Sequence, residues 1–309
     1  MASMDRTSSP VARTLQCVTL VLGAGAAAWF AWFWPRWPWL APAGFAAIAA
    51  CYAAALALEF LALRRVNRTD PVPQAGCAAL ARAWLAETLQ APRVFGWRQP
   101  FRWNAVPDQL DGADGAQGRR GIVFIHGFAC NRGFWTPWLR QLQASGHPFA
   151  AVNLQPMFAS IDDYAPIVER AVAAVTGATG LPPLLVCHSM GGLAARAWLR
   201  AGANGARVHH VVTIGTPHKG TWLARSSRLA NGRQMAAGSD WLRQLEVDLA
   251  SQPAPRFTCW YSNCDNVVFP SSTATLPGAD NRLVTGIAHV ELGFHPRVML
   301  ETLALLDRR

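Results

Sequence analysis

The chain has 309 residues, enough for one sizeable enzyme domain and a smaller element. Half of them are hydrophobic and 15% charged, with the apolar excess gathered in the first 63 positions, which excludes a chain wholly surrounded by water. The net charge of +10 comes from scattered arginines, with Lys219 the only lysine; without an aromatic-basic groove or a nucleic-acid module, binding to nucleic acid is excluded. Attraction to anionic headgroups and a plain Arg-for-Lys bias both account for the charge.

From Leu15 to Trp34 no charge interrupts the sequence. Twenty helical residues rise about 30 Å, the thickness of a hydrocarbon core. After the break Pro35-Arg36-Trp37-Pro38, a second uncharged, Ala-rich run extends from Leu40 to Leu58, with Glu59 near its end. Trp29, Trp32, Trp34, Trp37 and Trp39 crowd around the break, as in an interfacial aromatic belt. Residues 1–66 therefore read as a membrane anchor, a helical hairpin spanning at about 15–34 and 40–63. Arg6 and Arg13 precede it and Arg64, Arg65 and Arg68 follow, against Arg36 alone in the turn. The positive-inside rule then leaves both ends and the domain that follows in the cytoplasm. A single span would instead leave that domain in the periplasm.

Residues 67–309 read as a separate globular domain. A polar linker over 64–72 leads to a helix at about Gln74–Leu89, a strand-like alternation at Phe95–Trp103 and a surface turn over Asp108–Gly121. Apolar runs follow at Gly121–His126, Phe149–Leu154, Leu184–Cys187, Val208–Ile214, Phe257–Ser262 and Leu283–Gly286. Helical stretches at Gly133–Ser145, Asp162–Thr176 and Met190–Ala201 lie between them. Short continuous apolar strands separated by helices predict an α/β fold, a mostly parallel sheet covered on both faces. The polar stretch Thr221–Pro255 breaks this rhythm and reads as an insertion above the sheet. Of the seven cysteines, Cys259 and Cys264 are near enough in sequence to pair, but free thiols in a reducing compartment fit the irregular spacing better. No cofactor motif is present, and no metal site is expected.

In Leu184-Leu185-Val186-Cys187-His188-Ser189-Met190-Gly191-Gly192 an apolar strand runs into a serine, small residues and a helix. That arrangement makes a nucleophile elbow, which thrusts the serine hydroxyl out at the carboxyl edge of the sheet. The chain here resembles the α/β-hydrolase superfamily, and within it the bacterial lipases and esterases of triacylglycerol lipase type. It departs from their G-x-S-x-G by Cys187 in place of the first glycine. The resemblance covers Gly121 to the C-terminus and implies the α/β-hydrolase fold, with residues 67–309 as the catalytic domain, and the chain order Ser, acid, His. Lipases carry a lid where the 221–255 insertion lies, so its Trp222, Leu223, Trp241, Leu242 and Leu245 suit either a lid over an apolar acyl site or a cap packed on the core.

Asp265, just past the strand Phe257–Ser262 and followed by Val267-Val268-Phe269-Pro270, matches the acid loop, with Asp280 as the other candidate. His289, in Gly286-Ile287-Ala288-His289, matches the base, with His295 its close competitor. His126-Gly127-Phe128-Ala129 after Ile122–Ile125 resembles the lipase oxyanion loop, so the N–H groups of Phe128 and Met190 are the expected oxyanion donors. Thr213-Ile214-Gly215-Thr216-Pro217-His218-Lys219-Gly220-Thr221 is a fourth resemblance. His126, Gly127, Asn131, Trp135, His188, His218 and Trp222 are the expected lining of the substrate mouth. Together these imply a serine ester hydrolase acting on apolar acyl or lipid esters at a bacterial inner membrane. An acyltransferase using the same acyl-enzyme and a non-catalytic scaffold with a relic fold are the rivals.

Overall fold

The computed structural model describes residues 9–110, 116–202 and 205–306; Arg6 and part of the 108–121 turn lie outside them. Two helices of 24 residues open the chain, α1 (Pro10–Phe33) and α2 (Ala43–Val66). They pack on one another across the proline-bounded break, where the Trp29 indole donates to the Leu40 carbonyl at 3.0 Å. Each is long and apolar enough to cross a membrane. Leu20, Val21 and Trp32 are exposed along α1, and Trp34, Trp37 and Trp39 are exposed in the break between the helices.

The end of α2 is not a free tether. Asn67 is buried and donates to Ser271 Oγ at 2.9 Å, while the Ser271 N–H returns to Asn67 Oδ1 at 3.2 Å. The expected linker at 64–72 is thus docked on the domain. Helix α3 (Cys77–Pro92) follows. The stretch read as a strand over Phe95–Trp103 is instead a π-helical turn at 93–98 and a helical turn at Gln99–Phe101. Its aromatic composition imitates a strand, but Ala91 and Val94 are needed in the core, and the Gln16 amide reaches the Pro100 carbonyl at 2.6 Å from α1.

The sheet has six parallel strands in the order β2-β1-β3-β4-β5-β6: β1 Ile122–Ile125, β2 Phe149–Ala151, β3 Leu184–His188, β4 His210–Ile214, β5 Phe257–Tyr261 and β6 Asp280–Leu283. Every residue of β1 and β3 is buried. Successive side chains alternate between two cores, as a pleated strand requires. Val123, Ile125, Leu185 and Cys187 face one core, together with α5 (Ala165–Thr179) and α6 (Met190–Arg200). Ile122, Phe124, Leu184 and Val186 face the other, with α4 (Thr136–Ser145). Covering on both faces is why these strands read as unbroken apolar runs.

The expected strand Leu283–Gly286 is displaced to Asp280–Leu283. As an edge strand with a partly solvated surface, it carries Asp280, Asn281 and Arg282, which apolar pattern cannot detect. The 221–255 region holds a turn at Trp222–Ser226, a short helix at Ala230–Gln234 and α7 (Asp240–Ala250). Leu242 and Leu245 of α7 are buried in the core beside α6, so this part packs as a cap, while Leu223 and Leu229 stay exposed. Two short helices, α8 (His289–Leu292) and α9 (Pro296–Leu303), end the chain.

Candidate active site

The chain leaves β1 toward β2 at the sheet edge and returns on the other side of β1 to form β3. A crevice opens where strand order reverses in this way, at the carboxyl ends of the strands. The β1 loop and the end of β3 meet there.

Ser189 sits at that end with φ 54° and ψ −129°, outside the conformations open to an ordinary L-residue. Its N–H still donates to the Ile214 carbonyl at 2.9 Å, so the ladder to β4 holds the serine until α6 begins at Met190. The turn is tight. A Cβ on Gly191 would lie 2.3 Å from the Ile125 carbonyl oxygen, and one on Gly192 equally close to Thr216 Oγ1. The Thr216 hydroxyl in turn donates to the Ser189 carbonyl at 2.8 Å. From the facing loop, a Cβ on Gly127 would stand 2.7 Å from Ser189 Cβ and 3.3 Å from its hydroxyl. Ala129, next but one, has φ 52°. Among the described residues, Ala129 and Ser189 are the two non-glycine residues with positive φ, one in the β1 loop and one at the end of β3.

Asp265 follows β5 and is 1% exposed. One carboxylate oxygen accepts from the N–H groups of Val267 at 3.0 Å and Val268 at 2.7 Å; the other meets His289 Nδ1 at 2.9 Å. Gly215 closes this pair against the serine side. It directly follows Ile214, and a Cβ there would lie 2.9 Å from Asp265 Oδ2 and 3.1 Å from His289 Nδ1. His188, just before Ser189, bonds through Nε2 to the His289 carbonyl at 3.2 Å, the two rings 4.6 Å apart. The structure thus gathers Ser189, Asp265 and His289 at one end of the sheet. Burial opposes a charge on His289, but Asp265, with help from Glu87 and Glu59, outweighs it and lifts the imidazole above the ordinary histidine range. Asp280 lies on β6, paired with Arg282 at 2.5 Å, and His295 precedes α9; neither joins this group.

Several residues expected at the mouth lie behind it instead. His126 is buried, donating from Nδ1 to the Gly127 carbonyl at 2.9 Å and accepting from the Leu154 N–H at 3.0 Å. Burial drives its pKa down to about 4, so it is a neutral brace under the loop. Asn131 is buried against Gln99, and its amide reaches the Ser9 hydroxyl at 3.4 Å. Trp135 is a core residue packed on Phe124, and His188 is stacked on Phe134. His218 is buried under the site, with Nε2 on Thr213 Oγ1 at 3.0 Å, and burial holds it neutral. Trp222 is partly exposed beside Phe269 in the loop after Asp265, and Phe128 pairs with the exposed Phe158 across 5.7 Å. A cavity of about 520 Å³ lined by Arg196, Phe257 and Leu276 contains none of the gathered residues.

Three residues near His289 carry no motif. Asn266 accepts the His289 N–H at 3.2 Å and donates to Glu59 at 2.7 Å. Glu87, buried on α3, accepts from the N–H groups of Val290 at 3.0 Å and Glu291 at 3.3 Å. Burial raises the Glu87 carboxyl to about 7, partly offset by those bonds. For Glu59 a signal existed: an acid in an apolar helix demands a partner. Among the described residues no cluster of metal-ligating side chains occurs.

The fold matches that of the lipase BlEst2 of Bacillus licheniformis in its mature form, with a TM-score of 0.55 and 18% identity over 61% of this chain and 92% of that one. It also matches Aspergillus fumigatus lipase B, with a TM-score of 0.51 and 16% identity over 63% of this chain; only 53% of that lipase is covered. The propeptide form of BlEst2 is likewise spanned over about half its length, 52%. At these identities the likeness is one of fold. No curated protein sequence matches the chain. The sequence profile of the alpha/beta hydrolase family matches residues 122–297, from β1 into α9 and across the whole gathered site, and the chain belongs to that family.

Proposed function

We propose that this protein is a membrane-anchored serine hydrolase of carboxylic esters, with Ser189 as nucleophile, His289 as general base and Asp265 as its orienting acid. The observation that carries this reading is the strained Ser189 elbow pressed against Gly127, with the hydrogen-bonded His289–Asp265 pair packed on Gly215, one residue beyond the adjoining strand β4. Backbone strain persists only where the surroundings impose it, and it concentrates at functional sites.

His289 holds its Nδ1 proton on Asp265, which leaves Nε2 free to accept the Ser189 proton. The serine oxygen attacks the ester carbonyl, and the N–H groups of Met190 and Phe128 bind the oxyanion. The imidazolium then protonates the departing alcohol, and a water, deprotonated by the same imidazole, releases the acid. The aromatic pair Phe128–Phe158 and the Trp222 side favour an apolar acyl group. The apolar α1–α2 hairpin, with its tryptophans at the turn, supports anchoring in a bilayer, with the domain on the cytoplasmic side by the charge distribution.

Full-length protein in detergent micelles hydrolyses nitrophenyl esters and reacts with a fluorophosphonate probe; Ser189→Ala abolishes both. Retained turnover in a folded Ser189→Ala variant defeats the proposal.

A further inference from the structure

Helix α2 does more than pass through a bilayer. Its last turns place Phe60 and Leu63 in one buried cluster with Cys264, Phe269 and Ala288. Cys264 immediately precedes Asp265, and Ala288 immediately precedes His289. The helix is fastened on either side. The Trp84 indole of α3 donates to the Ala53 carbonyl at 2.8 Å, and beyond the helix Asp70 accepts from the Ser272 N–H at 2.9 Å. Within this frame the Glu59 carboxylate accepts from Asn266 Nδ2 at 2.7 Å, and Asn266 Oδ1 accepts from the His289 N–H at 3.2 Å. Asn266 is 1% exposed and its bond to the His289 N–H is buried, while its bond to Glu59 is partly buried.

We infer that Glu59, on the second apolar helix, is a positioning residue for His289, acting through the side chain of Asn266. The amide of Asn266 can turn its oxygen to His289 only while its nitrogen has an acceptor, and Glu59 is that acceptor. Without it, the buried amide is left with an unmet donor and either flips or draws in water. The His289 backbone then loses its tether beside the pair it must form with Asp265. An acid within an apolar helix, costly in lipid, is retained because it completes the site. Correct seating of the hairpin and alignment of the base become one physical event. This inference rests on the serine-hydrolase reading.

The test uses full-length protein in micelles and nitrophenyl acetate, a soluble ester. Glu59→Ala is expected to lower kcat about tenfold, as sub-ångström misplacement of a base does, with KM within about twofold. Glu59→Gln keeps an oxygen acceptor for Asn266 and recovers most of the loss. Asn266→Ala reproduces the loss, and Glu59→Ala added to it costs nothing further, because both sever one chain. Glu59→Met, which preserves volume without the acceptor, repeats the measurement where Glu59→Ala does not fold. Wild-type kcat in folded Glu59→Ala or Glu59→Met overturns the inference. So do additive losses in the double variant, or a Gln variant as poor as Ala, either of which marks plain packing. If Ser189→Ala remains active, the hydrolase reading itself fails; if Ser189→Ala is silent while the Glu59 variants behave as wild type, only this inference falls.

Discussion

Gly215→Ala isolates the contact on which the base depends. The added Cβ would sit 2.9 Å from Asp265 Oδ2 and 3.1 and 3.2 Å from two atoms of the His289 ring, where ordinary contact begins at 3.4 Å. Asp265 cannot recede freely, because its other oxygen is held by the N–H groups of Val267 and Val268. His289 is backed by the His188 ring. The pair must therefore shift by about half an ångström, and at about 10²-fold per ångström of misplacement the expected loss in kcat/KM is about tenfold, or ~1.4 kcal/mol. Gly215 also has φ 58°, so a Cβ adds about 1–2 kcal/mol of backbone strain. A domain of this size then melts about 2–8 °C lower. Gly177→Ala is the control: it lies exposed in α5 with open space at its Cβ, and is expected to stabilise by about 0.5–1 kcal/mol with unchanged kinetics. Steady-state ester hydrolysis and thermal melting read both quantities. A folded Gly215→Ala enzyme with kcat/KM within about twofold of wild type refutes the packing argument.

In the proposed mechanism His289 acts only when neutral, so activity is expected to fall as pH drops through its pKa. Since Asp265 lifts that value, the acid limb of kcat/KM is expected above the ordinary histidine value of about 6.5. Asp265→Asn removes the charge, moves the limb to lower pH and, by the loss of the correct tautomer, costs on the order of 10⁴ in kcat; an unmoved limb in a pH–rate profile contradicts the assignment. His126→Ala strands the buried Leu154 N–H at about 1–3 kcal/mol and slackens the Gly127 loop. It is expected to lower both the melting temperature and kcat, and an unaltered melting curve counts against the bracing role.

The sheet was legible because its central strands are buried on both faces, which writes continuous apolar runs at Ile122–Ile125 and Leu184–Cys187. Where a strand lies at the edge, as at Asp280–Leu283, solvent on one side removes the signal. The aromatic stretch near Phe95 misled because helix and strand compete for such residues and tertiary packing decided. At the site, Ser189, Asp265 and His289 could be singled out because each follows a strand end in a recognisable local pattern. Residues next to these motifs were not thereby at the surface: His188 precedes the nucleophile, yet the strand pleat turns its ring into the core against Phe134. Asn266, Glu59 and Glu87 come from three separate segments, and only the folded arrangement brings them to His289.

The departure at Cys187 follows from the same geometry. The family pattern has small residues two positions before and after the serine, but the two positions here meet different neighbours. The Cys187 side chain enters the apolar core that Leu193 and Ala194 of α6 share, a boundary made of side chains that can repack around a thiol. A Cβ on Gly191 would meet the Ile125 and His126 carbonyl oxygens at 2.3 and 2.7 Å. Those oxygens belong to the end of β1 and the loop of the proposed donor Phe128, so they cannot retreat without carrying that N–H with them. Of these two positions only Gly191 is compulsory in this chain, because it sets how closely α6 approaches the end of β1 and the loop after it.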